Sequence, residues 1–405
     1  MGLEPDKWNF FMAMSKSESF KKALLDLAAQ GTDPVDHYTA LMAQRPLFVL
    51  QPLSVIGRMR CKYLLTLMPG VVALVDDNLT VPEMFGVPCW TTARFMQQAH
   101  QHLCALAIDF SDDAWGRALT AARCRQAGVP LVDCIPVLAV YGLFSVYETV
   151  NIYRSKTLER LDDFVRLADR LDDTLSQETL YANLLFRLSY DRNWLMPIGT
   201  DPSEEYFSMA GRPSTFTLGT REHFCDCGAF EGPVVRKFLA ANQWQYGSIT
   251  AFEPDRVNFS VLSQLSDLPL HNFRPVNKAV SSRRQTLYFE ETGTMSSHIV
   301  DQGSVTVKTV RLDDELERLS FLKMDVEGFE AKTLHGAARL LANDRPRIAA
   351  CVYHYAQDLL DVVAAVDQHA DGYHFRLRQH NVGYYYDLVL YASPVAGCGP
   401  FPATA

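Results

Sequence analysis

A chain of 405 residues is longer than one ordinary hydrophobic core requires, so two domains are the starting expectation. Its 48% hydrophobic and 21% charged residues, with a mean hydropathy near zero, describe a globular protein. A formal charge of −9 without any basic block excludes nucleic acid as the expected partner.

The opening Met1-Gly2-Leu3-Glu4-Pro5-Asp6-Lys7 lacks the basic-then-apolar layout of a signal peptide. Nine scattered cysteines, an odd number with no framework, point to reduced thiols and a cytoplasmic location. Residues 18–30 and 35–44 read as two short amphipathic helices broken by Gly31 and Pro34, filling an N-terminal segment, 1–45. From Pro46 the rhythm becomes strand, helix, strand. Residues 47–50 and 71–75 are short apolar strands with a helix over 57–67 between them, the second strand ending on Asp76 and Asp77. A helix over 91–100, a strand over 103–108, a helix over 114–126 and a strand over 130–133 complete a small parallel α/β domain, 46–145. The longest apolar run, 129–144, is short for a membrane span and is interrupted by Pro130, Asp133 and Pro136; it reads as a buried strand plus a turn. Residues 147–193 are expected to be helical throughout, with Asp162, Asp163 and Arg166 on a polar face. With the Pro/Gly-punctuated connector 193–219 they form a lead-in, 146–220.

A second α/β pattern occupies 221–395. Strands are expected at 223–227, 248–253, 273–280, 286–290, 305–311, 321–326, 347–354, 373–378 and 385–391, with helices at 233–242, 256–264, 329–341 and 356–369. The last two strands flank a polar turn at Asn381-Val382-Gly383 and read as a hairpin. The fold class is therefore α/β: a doubly wound, mostly parallel sheet with a terminal antiparallel hairpin, preceded by helices and a smaller α/β domain.

Three segments carry chemistry. In Phe224-Cys225-Asp226-Cys227-Gly228-Ala229-Phe230-Glu231-Gly232 a strand runs into a glycine turn, and Gly232-Pro233 opens a helix. Glycine there lets a cofactor approach the backbone closely, and proline suits a first helical turn. Cys225 and Cys227 alternate onto one face, but no second Cys/His pair lies near enough in sequence to complete a zinc site, so no metal is expected. The second segment, Ala251-Phe252-Glu253-Pro254-Asp255, sets an acid at the next strand end, where doubly wound folds hold ribose hydroxyls. That acid would serve NAD equally. The glycine spacing does not, because a pyrophosphate site wants G-x-G-x-x-G and here Phe230 and Glu231 fill the loop. The third segment, Phe321-Leu322-Lys323-Met324-Asp325-Val326-Glu327-Gly328, delivers two carboxylates to the ligand-binding edge, with Lys323 available for charge balance.

Taken together these segments resemble the FkbM methyltransferases, a class I family that uses S-adenosylmethionine, mostly to methylate hydroxyls of sugars and other natural products. The matching residues are Asp226, Gly228, Ala229 and Gly232, then Phe252-Glu253-Pro254 and Asn258, Asn277, Ala279-Val280-Ser281, Ser296-Ser297 and Lys323 through Gly328. Leu167-Ala168-Asp169, Ser176 and Glu205-Tyr206-Phe207 resemble the family's helical lead-in. Cys227 and Glu231 depart from it, standing where small or amide residues are usual. The resemblance implies that Asp226, Gly228, Ala229 and Gly232 shape the methionine side of the cofactor pocket, that Glu253 holds the ribose and that Asn277 lines the adenine. It implies that Asp325 sits near the cofactor's amino group or the reacting methyl. A sugar hydroxyl also needs its proton taken during transfer, and His354 and Asp325 are the two candidates for that catalytic role.

Residues 71–78 with Gly86-Val87-Pro88 resemble a Rossmann-like domain found before some sugar acetyltransferases and nucleotide-sugar enzymes. Its first turn, Leu50-Gln51-Pro52-Leu53-Ser54-Val55-Ile56-Gly57, keeps only the last glycine, so a degenerate domain for substrate docking or homodimer formation is expected. The leading expectation is an O-methyltransferase with a small-molecule or glycan acceptor. An NAD-linked or nucleotide-sugar enzyme and a non-catalytic binding protein are the alternatives. The loops 193–219 and 293–302, expected on the acceptor side, carry no decodable motif.

Overall fold

The computed structural model describes residues 15–43, 45–143, 147–209, 215–293, 297–303, 305–382 and 386–394. They divide into two compact units: 1–161, 178–199 and 381–385 form the first, and 162–177, 200–380 and 386–405 the second. Among the described residues no helix is long and apolar enough to cross a membrane.

The first unit is built on β1 (Leu47–Leu50), β2 (Val71–Val75), β3 (Glu83–Met84), β4 (Val87–Trp90), β5 (Leu106–Asp109) and β6 (Leu131–Asp133), in sheet order β3-β4-β2-β1-β5-β6. All pairings are parallel except the β3–β4 hairpin. Phe48, Val75, Phe95, Ala107 and Cys124 meet in its core. The run 129–144 is not a strand plus a turn. After β6 the chain becomes a helix, Cys134–Val140, because the Asp133 carboxylate accepts the Ile135 N–H at 2.9 Å and caps it. Phe144, at the end of that run, lies outside the described residues. The expected continuous helix over 147–193 is three: Val150–Glu159, Leu161–Ala168 and Thr174–Ser189. A turn after Ala168, where Leu171 bridges to Phe375, and the Asp173 side chain capping Ser176 divide the last two.

The second unit holds β7 (His223–Cys227), β8 (Ser248–Phe252), β9 (Phe273–Val276), β10 (Ala279–Val280), β11 (Gln285–Glu290), β12 (His298–Val300), β13 (Val305–Val310), β14 (Phe321–Met324), β15 (Arg347–Cys351), β16 (His374–Gln379) and β17 (Leu388–Ser393). Seven strands run in the order β16-β17-β15-β14-β7-β8-β9, and four form a small sheet, β10-β13-β11-β12. From β9 to β15 the large sheet is parallel; β17 joins antiparallel to both neighbours. β14 and β15 are buried along their whole length, as strands covered on both faces must be. Stacked Phe224 and Phe238, 4.4 Å apart, and Phe224 and Phe321, 5.4 Å apart, centre the core.

Three expectations change here. The strand read over 273–280 breaks at Asn277 into β9 and β10, which belong to different sheets. The helix read over 329–341 splits into Glu330–His335 and Ala338–Asn343 at Gly336, where any Cβ would lie 2.2 Å from the Ser281 carbonyl oxygen. The strand read over 347–354 ends at Cys351, so His354 belongs to the loop beyond it.

Candidate active site

β7 lies between β14 and β8, where the strand order reverses, and its carboxyl end carries the glycine turn. Gly228 takes φ +74°, and a Cβ there would stand 1.8 Å from the Asp325 carbonyl oxygen. Glycine is thus imposed by the end of β14 as well as by the turn. The N–H groups of Gly228 and Ala229 both donate to the Phe252 carbonyl at 3.0 Å, fixing the turn to the end of β8. Gly232, at φ +83°, starts the helix Pro233–Ala241.

Asp226 has no exposed surface. Its carboxylate meets the Lys323 ammonium at 3.1 Å, and Lys323 also donates to the Gly228 carbonyl oxygen at 2.7 Å. Burial pushes the Asp226 carboxyl up against the opposing pull of Lys323, while Lys323 is raised because Asp226 and Asp325 outweigh its own burial. Asp226 is therefore tied to the turn through Lys323. Glu253, also buried, accepts the Phe230 N–H at 2.8 Å and the Asp255 N–H at 2.9 Å. Burial raises its carboxyl to about 7, with these two N–H donors opposing. Asn277 donates to the carbonyl oxygens of Glu253 at 2.9 Å and Pro254 at 3.0 Å, so its amide braces the acidic loop. Asp255 went unremarked as a site residue. It caps the helix Arg256–Ser263 and accepts from the Ser297 hydroxyl at 2.6 Å and the Gly293 N–H at 3.0 Å. The neighbouring Ser296 and the hairpin residue Gly383 lie outside the described residues, as does the 294–296 part of the 293–302 loop.

Asp325 follows β14 with 27% of its side chain exposed, and Glu327, at φ +56°, keeps 20%. His354 has none. Its Nε2 lies 3.3 Å from Asp325 Oδ1 and 3.3 Å from Glu327 Oε2, and its Nδ1 lies 3.4 Å from Glu330 Oε1 and 4.0 Å from Asp358 Oδ2. Burial opposes the imidazolium, yet Glu330, Asp325 and Glu327 together raise it to about 10. Burial likewise opposes the Asp325 carboxylate, but the His354 hydrogen bond and the Lys323 charge bring it down to about 2. The Tyr353 hydroxyl donates to Asp325 at 3.4 Å. His354 and Asp325 are thus adjacent. However, the ring is enclosed and paired on both sides, whereas Asp325 reaches the surface. Burial raises the Glu205 carboxyl to about 7, with the charges of Asp387 and Asp325 adding to it.

Residues 226–384 match the methyltransferase FkbM domain. No curated protein matches the chain. The crystal structure of methyltransferase FkbM from Methylobacillus flagellatus KT superposes with a TM-score of 0.76 at 22% identity, covering 93% of this chain and 100% of that one. The fold, N-terminal unit included, is therefore shared. An rRNA methylase from Streptococcus thermophilus gives a TM-score of 0.30 at 16% identity, covering 44% of this chain and 89% of that one. The turn at Gly228 and the strands β8 to β16 all lie within residues 226–384, the part of this chain that matches the methyltransferase FkbM domain.

Proposed function

We propose that the second unit transfers a methyl group from S-adenosylmethionine to a hydroxyl of a sugar, a glycan or a glycosylated metabolite. The observation that carries this reading is the pairing of the Gly228 turn with the Glu253 carboxylate where the strand order reverses. Phe230 and Glu231 in the middle of the turn suit a cofactor that brings no phosphate and carries positive charge. In this reading Glu253 receives the ribose hydroxyls, Gly228, Ala229 and Gly232 leave room for the methionine half, and Asn277 braces the adenine side. Asp226 sets the turn through Lys323.

The bound cofactor supplies an electrophilic methyl on a sulfonium. The chain's part is to hold the acceptor oxygen in line with that methyl and to receive its proton. Partly exposed Asp325 is the proposed catalytic residue for the proton. His354, enclosed beside it, is a positioning residue that fixes the carboxylate. The first unit is proposed to serve substrate docking or dimerisation in a cytoplasmic enzyme. Its first turn packs tightly, since a Cβ on Gly57 would lie 2.5 Å from the Pro52 carbonyl oxygen, which supports a docking role over a phosphate site.

Calorimetric titration with S-adenosylmethionine, S-adenosylhomocysteine and NAD tests the reading. The thioether should bind with micromolar affinity, equivalent to about −8 kcal/mol. Saturable NAD binding with none of the thioether would overturn it.

A further inference from the structure

Two carboxylates and one imidazole converge just past the ends of β14 and β15. Asp325 Oδ1 and Glu327 Oε2 each lie 3.3 Å from His354 Nε2, and one donor atom from each residue falls within 4.8 Å of the other two. Metal–ligand bonds near 2.1 Å put neighbouring corners of an octahedron roughly 3 Å apart, so the two 3.3 Å edges that meet at His354 Nε2 match edges of a coordination sphere, and small side-chain shifts would bring the two carboxylates to a third. We propose that Asp325, Glu327 and His354 bind a divalent first-row cation of the manganese-to-zinc kind.

Three further features favour this. The first is the outer ring. Glu330 and Asp358 face His354 Nδ1 at 3.4 and 4.0 Å, and both are themselves anchored. Glu330 accepts the Val326 N–H at 2.9 Å, and Asp358 accepts the Tyr355 N–H at 2.7 Å. A carboxylate behind a histidine holds the proton on the far nitrogen and aims the near one at a metal. The second is charge. Four carboxyl groups surround one imidazole, and the Lys323 ammonium is engaged by Asp226 at 3.1 Å. The His354 imidazolium compensates part of that charge on its own, and a divalent cation that takes the place of its Nε2 proton would compensate more of it. The third is access. The wholly buried set Glu330, His354 and Asp358 offers no open coordination position, whereas the Asp325 and Glu327 side chains are 27% and 20% exposed and leave one side for water or acceptor oxygens. The nitrogen donor disfavours calcium and magnesium, which take oxygen.

If the methyl-transfer reading holds, the ion also narrows the acceptor. An ion with adjacent open positions prefers two neighbouring oxygens, such as vicinal hydroxyls of a sugar ring. Held there, the hydroxyl to be methylated would give up its proton more readily to the Asp325 carboxylate as its oxygen takes the methyl and the cofactor's sulfur–methyl bond breaks.

Manganese(II) is the probe, followed by loss of its free-ion electron paramagnetic resonance signal on titration into the whole chain. Wild type should bind one ion more tightly than about 1 mM, and Glu327→Gln and Asp325→Asn should each weaken binding at least about tenfold. Asp358→Asn should weaken it less, and Asp367→Asn, at the distant exposed pair with Arg170, should leave it unchanged. Circular dichroism checks folding. If Asp325→Asn does not fold, the partly exposed and isosteric Glu327→Gln decides. No binding by wild type, with or without S-adenosylhomocysteine, or equal binding by Glu327→Gln, overturns the site. Calorimetry with S-adenosylhomocysteine runs in parallel. Manganese bound without the thioether refutes methyl transfer and leaves the metal site standing, and the thioether bound without manganese does the reverse.

Discussion

Replacing Gly228 by alanine would set a Cβ 1.8 Å from the Asp325 carbonyl oxygen, in a residue held at φ +74°. The left-handed conformation alone costs a non-glycine residue about 1–2 kcal/mol. The overlap adds to this, because the atom met is backbone and cannot rotate away. Asp325 must move by more than an ångström, and the Asp325 N–H to Cys227 carbonyl bond, at 3.0 Å, moves with it. A total of about 3–5 kcal/mol is expected, in the range of severe core overpacking. Gly372 in the same unit is the control. It takes φ +70°, but an added Cβ would meet only the Arg345 side chain at 3.7 Å, so Gly372→Ala should cost about 1 kcal/mol. Urea unfolding of both variants measures the difference, and titration with S-adenosylhomocysteine asks whether the surviving Gly228→Ala fold keeps its pocket. Equal midpoints for the two variants would refute the reasoning, since the strand-end contact would then contribute nothing beyond φ.

Glu253→Ala should weaken S-adenosylhomocysteine binding by about 1–3 kcal/mol in calorimetry. An unchanged constant would reduce Glu253 to a brace for the Phe230 and Asp255 amides. His354→Asn leaves Asp325, Glu327, Glu330 and Asp358 facing one another without the imidazolium, and should lower stability by about 2–4 kcal/mol. A wild-type unfolding midpoint would contradict that. Asp173 offers a pH test away from the pocket: burial raises its carboxyl, but hydrogen bonds and charge from Arg378 outweigh this and hold it at about 2. A depressed carboxylate stabilises the fold above its unfolded value and loses that as pH falls towards about 2. With partial exposure about 1 kcal/mol should disappear between roughly pH 5 and pH 2. Asp173→Asn should remove that slope in urea unfolding, and an identical slope in the variant would exclude the pair as its source.

What could be read from the sequence was what local chemistry dictates. The strand into Asp226, the turn at Gly228, the proline opening the next helix and the acid at Glu253 lie within short windows, and each residue type has a stated local reason. Asp325 and Glu327 stand out at the end of their strand, but Glu330 and Asp358 look like ordinary helix-start acids, and only the adjacency of β14 and β15 gathers all four around His354. The strand expected over 347–354 says nothing of how His354 is enclosed, because the strand ends at Cys351 and the loop beyond it buries the ring. Gly336 could be read through as a glycine tolerated inside a helix. Its cause, the Ser281 carbonyl, comes from another sheet. Likewise Asn277 carries no breaker signal, yet its amide is spent on the Glu253 loop and the strand ends there.

The bond from Lys323 to the Gly228 carbonyl joins residues 95 positions apart. All of β8 to β13 lies between them in the chain. The turn therefore cannot be completed while the chain is short. A nascent polypeptide that has emerged only through the glycine motif and the Glu253 acid carries both recognisable signatures, yet lacks the strand that holds them in shape. Ligand binding should appear late in folding, after the slow, non-local pairing of β7 with β14, and a fragment ending before Phe321 should bind nothing. The order of assembly is written into the strand order: the central neighbour arrives after the outer ones, and the pocket opens for use only when the gap between them has been filled.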